Sequence, residues 1–324
     1  MKLLLTLASI MCILIVSGCT TKPSIDSSTM NFVKIGKEYD WIGPLIEING
    51  KLAYYAIDGC RRFIVYDGKE IGNEYDFIGS PVNINEKLTY RAVKDGVVFI
   101  VYGEQKIKTE YEQIDDLTEV NGKLAYVAQK DGKHLIVFDG QEIGKEYDYV
   151  GSPTEVNGKL AYLARKGNKW FIVYNGQKIG EQYDKVRNPV EVNGKLAYEA
   201  EKNGKEFIVY DNKEIGKEYY SATNPIELNN KLAYMAIDSV GNEPKRFIVY
   251  DNQEIGKEYD DVGSPLWINN RLAYIATKGS RTFIVYGDQE IGKEYEWIRC
   301  LTKINNKLAF VAKMIDKEFI IMQI

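Results

Sequence analysis

Histidine is almost absent: among 324 residues there is one, His134. Zinc sites and general acid–base sites recruit histidine with partners, so a lone one argues against both. Cysteine is nearly as scarce, at four. Cys12 and Cys19 belong to the N-terminal segment, leaving Cys60 and Cys300 for the rest of the chain. That excludes a scaffold built on disulfides. There is no block of one charge sign: 42 Lys and Arg are interspersed with 46 Asp and Glu, for a formal charge of −4. A nucleic-acid footprint needs a basic patch, so no nucleic-acid partner is expected. Helix-period patterning is missing beyond the first twenty residues. Only one long apolar run exists, Leu3 to Val16, and at fourteen residues it is too short to span a bilayer, which takes about 20.

That run follows Lys2 and ends in Val16-Ser17-Gly18-Cys19. A positive start, an apolar core and small residues before a cut describe a secretory signal. The terminal tetrapeptide resembles the lipobox of bacterial lipoproteins. The resemblance implies cleavage after Gly18, lipidation of Cys19 and an exported, membrane-anchored product, since acyl chains bind bilayers at about 0.8 kcal/mol per buried methylene. Residues 1–18 are thus expected to be a signal peptide and 19–32 a lipidated cysteine with its tether. From Thr20 to Met30 the sequence is polar and too poor in apolar residues to pack.

What fills residues 33–324 is one unit repeated. The leucine of Leu-Ala-Tyr recurs at Leu52, Leu88, Leu124, Leu160, Leu196, Leu232, Leu272 and Leu308, every 36 residues except for one step of 40. A run like Phe-Ile-Val-Tyr begins at Phe63, Phe99, Leu135, Phe171, Phe207, Phe247, Phe283 and Phe319. The isoleucine of Ile-Gly-Lys-Glu-Tyr recurs at Ile35, Ile71, Ile107, Ile143, Ile179, Ile215, Ile255 and Ile291. Within a unit, Asn-Gly, Asp-Gly and Asn-Asn pairs separate short β-type runs. Such pairs accept positive φ and suit hairpin turns, so each unit reads as a four-stranded meander. Its second and third strands are almost continuously apolar, which means burial on both faces. Its fourth is charged, as befits an exposed edge. The chain begins on a fourth-strand motif and stops on a third-strand motif. The expected fold is therefore all-β: an eight-bladed β-propeller of four-stranded antiparallel blades, the ring closed by the N-terminal strand pairing with the C-terminal blade.

Asn-Gly-Lys-Leu-Ala-Tyr at Asn121 to Tyr126, and Phe-Ile-Val-Tyr-Asp after it, resemble the repeats of Tol-system and WD-repeat-like propellers. The resemblance runs from about Val33 to the end and implies the fold, not a chemistry.

Candidate sites are the residues that break the repeat. Trp297, Trp41 and Phe77, with Tyr149 later, follow the acid that precedes each unit. With the ring closed, the first three form an arc near the closure, beside Arg299, Arg61 and Arg62. Aromatic residues with arginine suit recognition of sugar or peptide. Glu47, Glu119, Glu155, Glu191 and Glu227 share one first-strand position, where Asn83, Trp267 and Lys303 stand in the other units. They are candidates for lining a channel, or for pairing locally. The acids Asp40, Asp76, Glu112, Asp148, Asp184, Asp260 and Glu296 are expected to cap turns rather than bind calcium. The four-residue insertion lies between Asp238 and Arg246, and a disulfide between Cys60 and Cys300 stays open. No catalytic cluster, metal or cofactor is expected. The expected function is a non-enzymatic binding or scaffold module for a protein or glycan, monomeric and held to the membrane by its lipid. A propeller hydrolase or lyase, and a repeat spacer or antigen, are the alternatives.

Overall fold

The computed structural model describes residues 31–238, 245–292 and 295–324; the signal, the lipobox with Cys19 and most of the insertion lie outside them. Every described element is a strand. The fourth unit is representative: Tyr149–Val156, Lys159–Lys166, Lys169–Tyr174 and Gln177–Ile179 pair in sequence order, all antiparallel. Asn157 and Asn175 take φ near +50°, each followed by a glycine, as the tight hairpins demand.

The first strand of each unit is interrupted. Between Arg187 and Val190, for example, the register shifts at Asn188, which has φ of 51°. Ser152, Asn224 and Cys300 occupy the same place with φ of 50° to 53°. These bulges bend the strand and re-aim the side chains beside them.

Among the described residues no sheet closes on itself. The units form separate sheets, except that the fifth and sixth are joined by one parallel pair, Glu206 with Ser221. Sheets with apolar residues on both faces must be covered by neighbours. Eight apolar clusters are found among the described residues, each shared by two units. The tyrosine ahead of each unit supplies part of the seam. Tyr183 meets Tyr198 and Phe207 edge-on, with centroids 6.4 and 5.5 Å apart.

One cluster combines the two ends of the chain. Tyr39, Ile42, Tyr54 and Phe63 pack against Ile304, Ala309, Val311 and Ile320. The strand Phe32–Tyr39 pairs antiparallel with Lys317–Gln323, so the N-terminal strand is the fourth strand of the last unit.

Candidate functional site

The sheets have two ends. At one lie the Asn-Gly turns between first and second strands. Each of the five repeat glutamates accepts a backbone N–H there from the unit before it. Glu119 takes Asn85, Glu155 takes Asn121, Glu191 takes Asn157, Glu227 takes Asn193 and Glu47 takes Asn305, all at 2.6 Å. One carboxylate oxygen of each is therefore committed to a neighbour's turn. The Glu47 link joins the first unit to the last, where Asn305 Nδ2 also donates to the Gly50 carbonyl at 2.8 Å. Where glutamate is missing, Asn83 instead donates to the Glu47 carbonyl at 3.2 Å, and Trp267 lies against Tyr250 with centroids 5.5 Å apart.

At the opposite end lie the turns between second and third strands. The acid before seven of the eight units caps them, Tyr220 standing in its place before the sixth. Asp40 accepts the Gly59 N–H at 2.6 Å, Asp148 accepts Gly167 at 2.6 Å and Glu296 accepts Ile315 at 2.7 Å. Among the described residues no three His, Cys, Asp or Glu side chains converge as metal ligands.

Beside these caps the units differ. Trp41, Arg299 and Trp297 come together across the junction of the last and first units. The Arg299 guanidinium carbon lies 4.7 Å from the Trp41 ring centre and 5.2 Å from that of Trp297. A guanidinium at these distances is held by both indole faces. Arg299 also pairs with Glu318, a buried acid whose other donor is the Ile42 N–H at 2.7 Å. Trp41 meets Tyr55 edge-on at 5.7 Å and folds over Gly43, where a Cβ would stand 3.1 Å from its ring. The stack is thus fixed from below and half-exposed above.

The other candidates stand apart from it. Phe77 is covered by Arg91, whose guanidinium lies 4.8 Å from its ring and also bonds Asp115 at 2.6 Å. Arg61 turns to Asp58 and Glu70, at 2.8 and 3.1 Å. Arg62 is exposed, paired across the sheet with Ile57, which pairs with Trp41. Cys60 and Cys300 are free thiols, and burial pushes the Cys300 thiol up.

Sequence reasoning passed over two features. Glu318 reads as one more surface glutamate in Lys-Glu-Phe-Ile; only its alignment with Arg62 and His134 in other units marks it as unusual. The second is the fifth unit's Arg187, which stands at the same repeat position as Arg299. It bonds Glu199 Oε2 at 2.5 Å and pairs with Glu206. Glu199, only 2% exposed, also accepts Asn188 Nδ2 and the Asn224 N–H, both at 2.7 Å. Ser221 Oγ donates to Glu206 at 2.7 Å. This network ties the fifth unit to the sixth.

No protein-family model and no curated protein sequence matches the chain. Among solved structures, the fold is similar to that of a prolyl endopeptidase, at 9% identity and TM-score 0.53 over 74% of this chain and 46% of that one. It is similar to the acylaminoacyl peptidase of Pyrococcus horikoshii, at 12% identity and TM-score 0.51 over 86% of this chain and 58% of that one. The WD40 domain of SCAP from fission yeast also aligns, at 6% identity and TM-score 0.42, over 91% and 98% of the two chains. The chain thus spans about half the length of the two peptidases it matches. At these identities the likeness shows the fold: all-β, propeller-like, built of repeated four-stranded antiparallel sheets.

The peptidase likeness corrects one expectation, that the chain is not an enzyme. Its architecture is one that enzymes carry. The scarcity of histidine bears only on chemistry held by this chain's own side chains, so it does not license the exclusion.

Proposed function

We propose that the chain is an exported lipoprotein whose β-propeller has eight blades in a closed ring and binds a protein or glycan partner. Closure is supported by the apolar cluster and the Glu47–Asn305 bond shared by the first and last units, with the strand Phe32–Tyr39 completing the last blade. Export and anchoring rest on the lipobox at Val16 to Cys19. The strand Phe32–Tyr39 enters at the end bearing the Asn-Gly turns, because Phe32 pairs with Gln323 and Tyr39 with Glu318. The tether therefore leaves from the end opposite the tryptophan stack, and a membrane-bound ring presents that stack outward.

The stack is the observation that carries the binding reading. Rigid, half-exposed aromatic groups with arginine bind with little loss of side-chain freedom. The test compares the full chain with the Trp41→Ala/Trp297→Ala double variant on a glycan panel and on envelope proteins, with circular dichroism confirming that both fold. A partner bound by the parent and weakened at least tenfold in the variant supports the site. Equal binding by both moves the site elsewhere on the ring.

A second reading draws on the peptidase likeness: the chain serves in peptide hydrolysis. Release of a chromophore from aminoacyl or prolyl peptide substrates by the purified chain, or by the chain with its envelope partners, favours it.

A further inference from the structure

On the same end of the sheets as the tryptophan stack, but in the third and fourth units, four side chains gather. His134 meets Tyr149 with centroids 5.5 Å apart, and Tyr149 meets Trp170 at 5.4 Å. Arg165 pairs across the sheet with both Tyr149 and Trp170, and its guanidinium lies 5.4 Å from the Trp170 ring. Tyr149 folds flat over Gly151, where a Cβ would come within 2.7 Å of its hydroxyl. All four are half-buried, so each keeps an open part.

Arg165 differs from the arginines that hold seams together. Arg187, Arg299 and Arg91 each have a carboxylate. Arg165 has none among the described residues, and its Nε is buried without a hydrogen-bond partner. A half-buried cation whose donor goes unmet is costly, and an arriving acceptor relieves that cost. The surrounding charge points the same way. The turn Arg165-Lys166-Gly167-Asn168-Lys169-Trp170 holds three cations and no acid. Lys133, Lys166, Lys169 and Lys185 are exposed, and none forms an ion pair among the described residues. On a chain of net charge −4 such a patch is local. The acids nearest the cluster are accounted for: Asp148 caps Gly167, and Asp116 accepts the Ser152 N–H at 3.1 Å, with Asp115 bound to Arg91.

We propose that His134, Tyr149, Arg165 and Trp170 form a binding site for an acidic sugar, its carboxylate taken by Arg165 and its ring seated in the angle between the edge-on Tyr149 and Trp170 rings. A guanidinium matches a carboxylate with paired N–H donors, and flat aromatic faces take the apolar face of a sugar ring. The requirement for both a charge and a ring-sized body distinguishes this ligand from a free anion. The site is separate from the tryptophan stack and stands or falls without it.

The test is calorimetric titration of the full chain in detergent with a galacturonic acid trisaccharide. The comparison ligands are the neutral galactose trisaccharide, sodium acetate and a peptide with a free C-terminal carboxylate. Variants are Arg165→Gln, Trp170→Ala and Trp41→Ala, with melting temperatures confirming that each folds. The expected result is binding of the acidic trisaccharide at least tenfold tighter than of the neutral one. Arg165→Gln and Trp170→Ala each weaken it at least tenfold, while Trp41→Ala changes it less than twofold. A fourth variant, Arg165→Lys, keeps the charge but not the fork and is expected to lose most of the affinity; full affinity in it overturns the paired-donor assignment. Affinity unchanged in Arg165→Gln overturns the proposal, as does no binding of the acidic sugar. Equal binding of acetate, or a preference for the peptide, overturns the sugar assignment.

Discussion

The two ends of the stacked sheets are built differently. At the end of the Asn-Gly turns, one interaction is copied around the molecule: a first-strand glutamate accepts a backbone N–H from the preceding unit, five times at 2.6 Å. At the opposite end, the capping acid is repeated in seven units, with Tyr220 in its place before the sixth, but the next position holds Trp41, Phe77, Gln113, Tyr149, Lys185, Ser221, Asp261 and Trp297. Repetition at a position means the fold uses it. Variation at a position that sits beside a repeated cap means the fold does not need any one residue there. The second end is where individual units have been made distinct, and both candidate binding sites lie on it.

The widest test attacks what every unit shares. Tyr90, Tyr126, Tyr234 and Tyr274 are seam residues, and burial pushes each phenol up to about 12. An exposed phenol ionises near 10, so the unfolded chain loses these protons first. The stabilisation is full below pH 10 and is lost as pH rises to 12. Unfolding is expected in that window as a single loss of circular dichroism. A loss of circular dichroism in separate steps would show that the seams open one at a time.

Next in size is a single-seam break at the variable end. Glu199→Ala leaves Arg187 without its buried partner and the Asn224 N–H without its acceptor. Removing one member of a buried pair costs up to about 3–5 kcal/mol when the other is left uncompensated, and here Glu206 still faces Arg187, so the loss sits at the lower end of that range. Denaturant midpoints should drop accordingly, and replacing Arg187 with methionine in the same chain should restore only part of the loss, since the Asn188 and Asn224 donors stay unmet. By contrast, Glu155→Ala removes one copy of the repeated staple. A partly exposed charged hydrogen bond is worth about 1–2 kcal/mol, and the other four staples remain. A loss as large as that of Glu199→Ala would erase the distinction drawn between the two kinds of seam bond.

How much of this was legible beforehand follows from the range over which each interaction acts. The repeat, its strands and its turns are local. Asn-Gly beside alternating apolar runs is enough to place a hairpin, and the unit bounds read from Leu-Ala-Tyr agree with the strands found. The pairing of Phe32–Tyr39 with the last unit followed from the phase of the repeat at both ends. The tryptophans and Arg299 were legible as breaks in the pattern, and two of the three aromatic residues do meet. Their common anchor was not legible. Glu318 reaches Ile42 across 276 positions, and its neighbours in sequence match those of Glu206 and many exposed glutamates. Arg61 and Arg62 looked equivalent, yet strand alternation sends one to Asp58 and Glu70 and leaves the other beside Ile57. Arg165 was hidden because its significance is a missing partner, which no sequence displays.

The smallest expected effect concerns the caps, which are common to both kinds of unit. Asp40 accepts the Gly59 N–H and pairs with Lys317, and these partners, Lys317 foremost, hold its carboxyl below the usual range. A lowered carboxyl stabilises the folded chain above the ordinary carboxylate range, and the contribution fades as pH falls through the lowered value. The site is open to solvent, where screening keeps ion pairs weak. Asp40→Asn should therefore shift the melting temperature slightly at pH 7 and not at all at an acid pH below the lowered value, where both forms are neutral. Asparagine keeps an oxygen for the Gly59 N–H, so the difference between the two pH values isolates the Lys317 pairing across the junction of the last and first units. If the shift at pH 7 matched that at the acid pH, the pairing would carry no stability, and the contact of the first and last units at that end would rest on Glu318, the tryptophan stack and the Lys317–Asp58 pair.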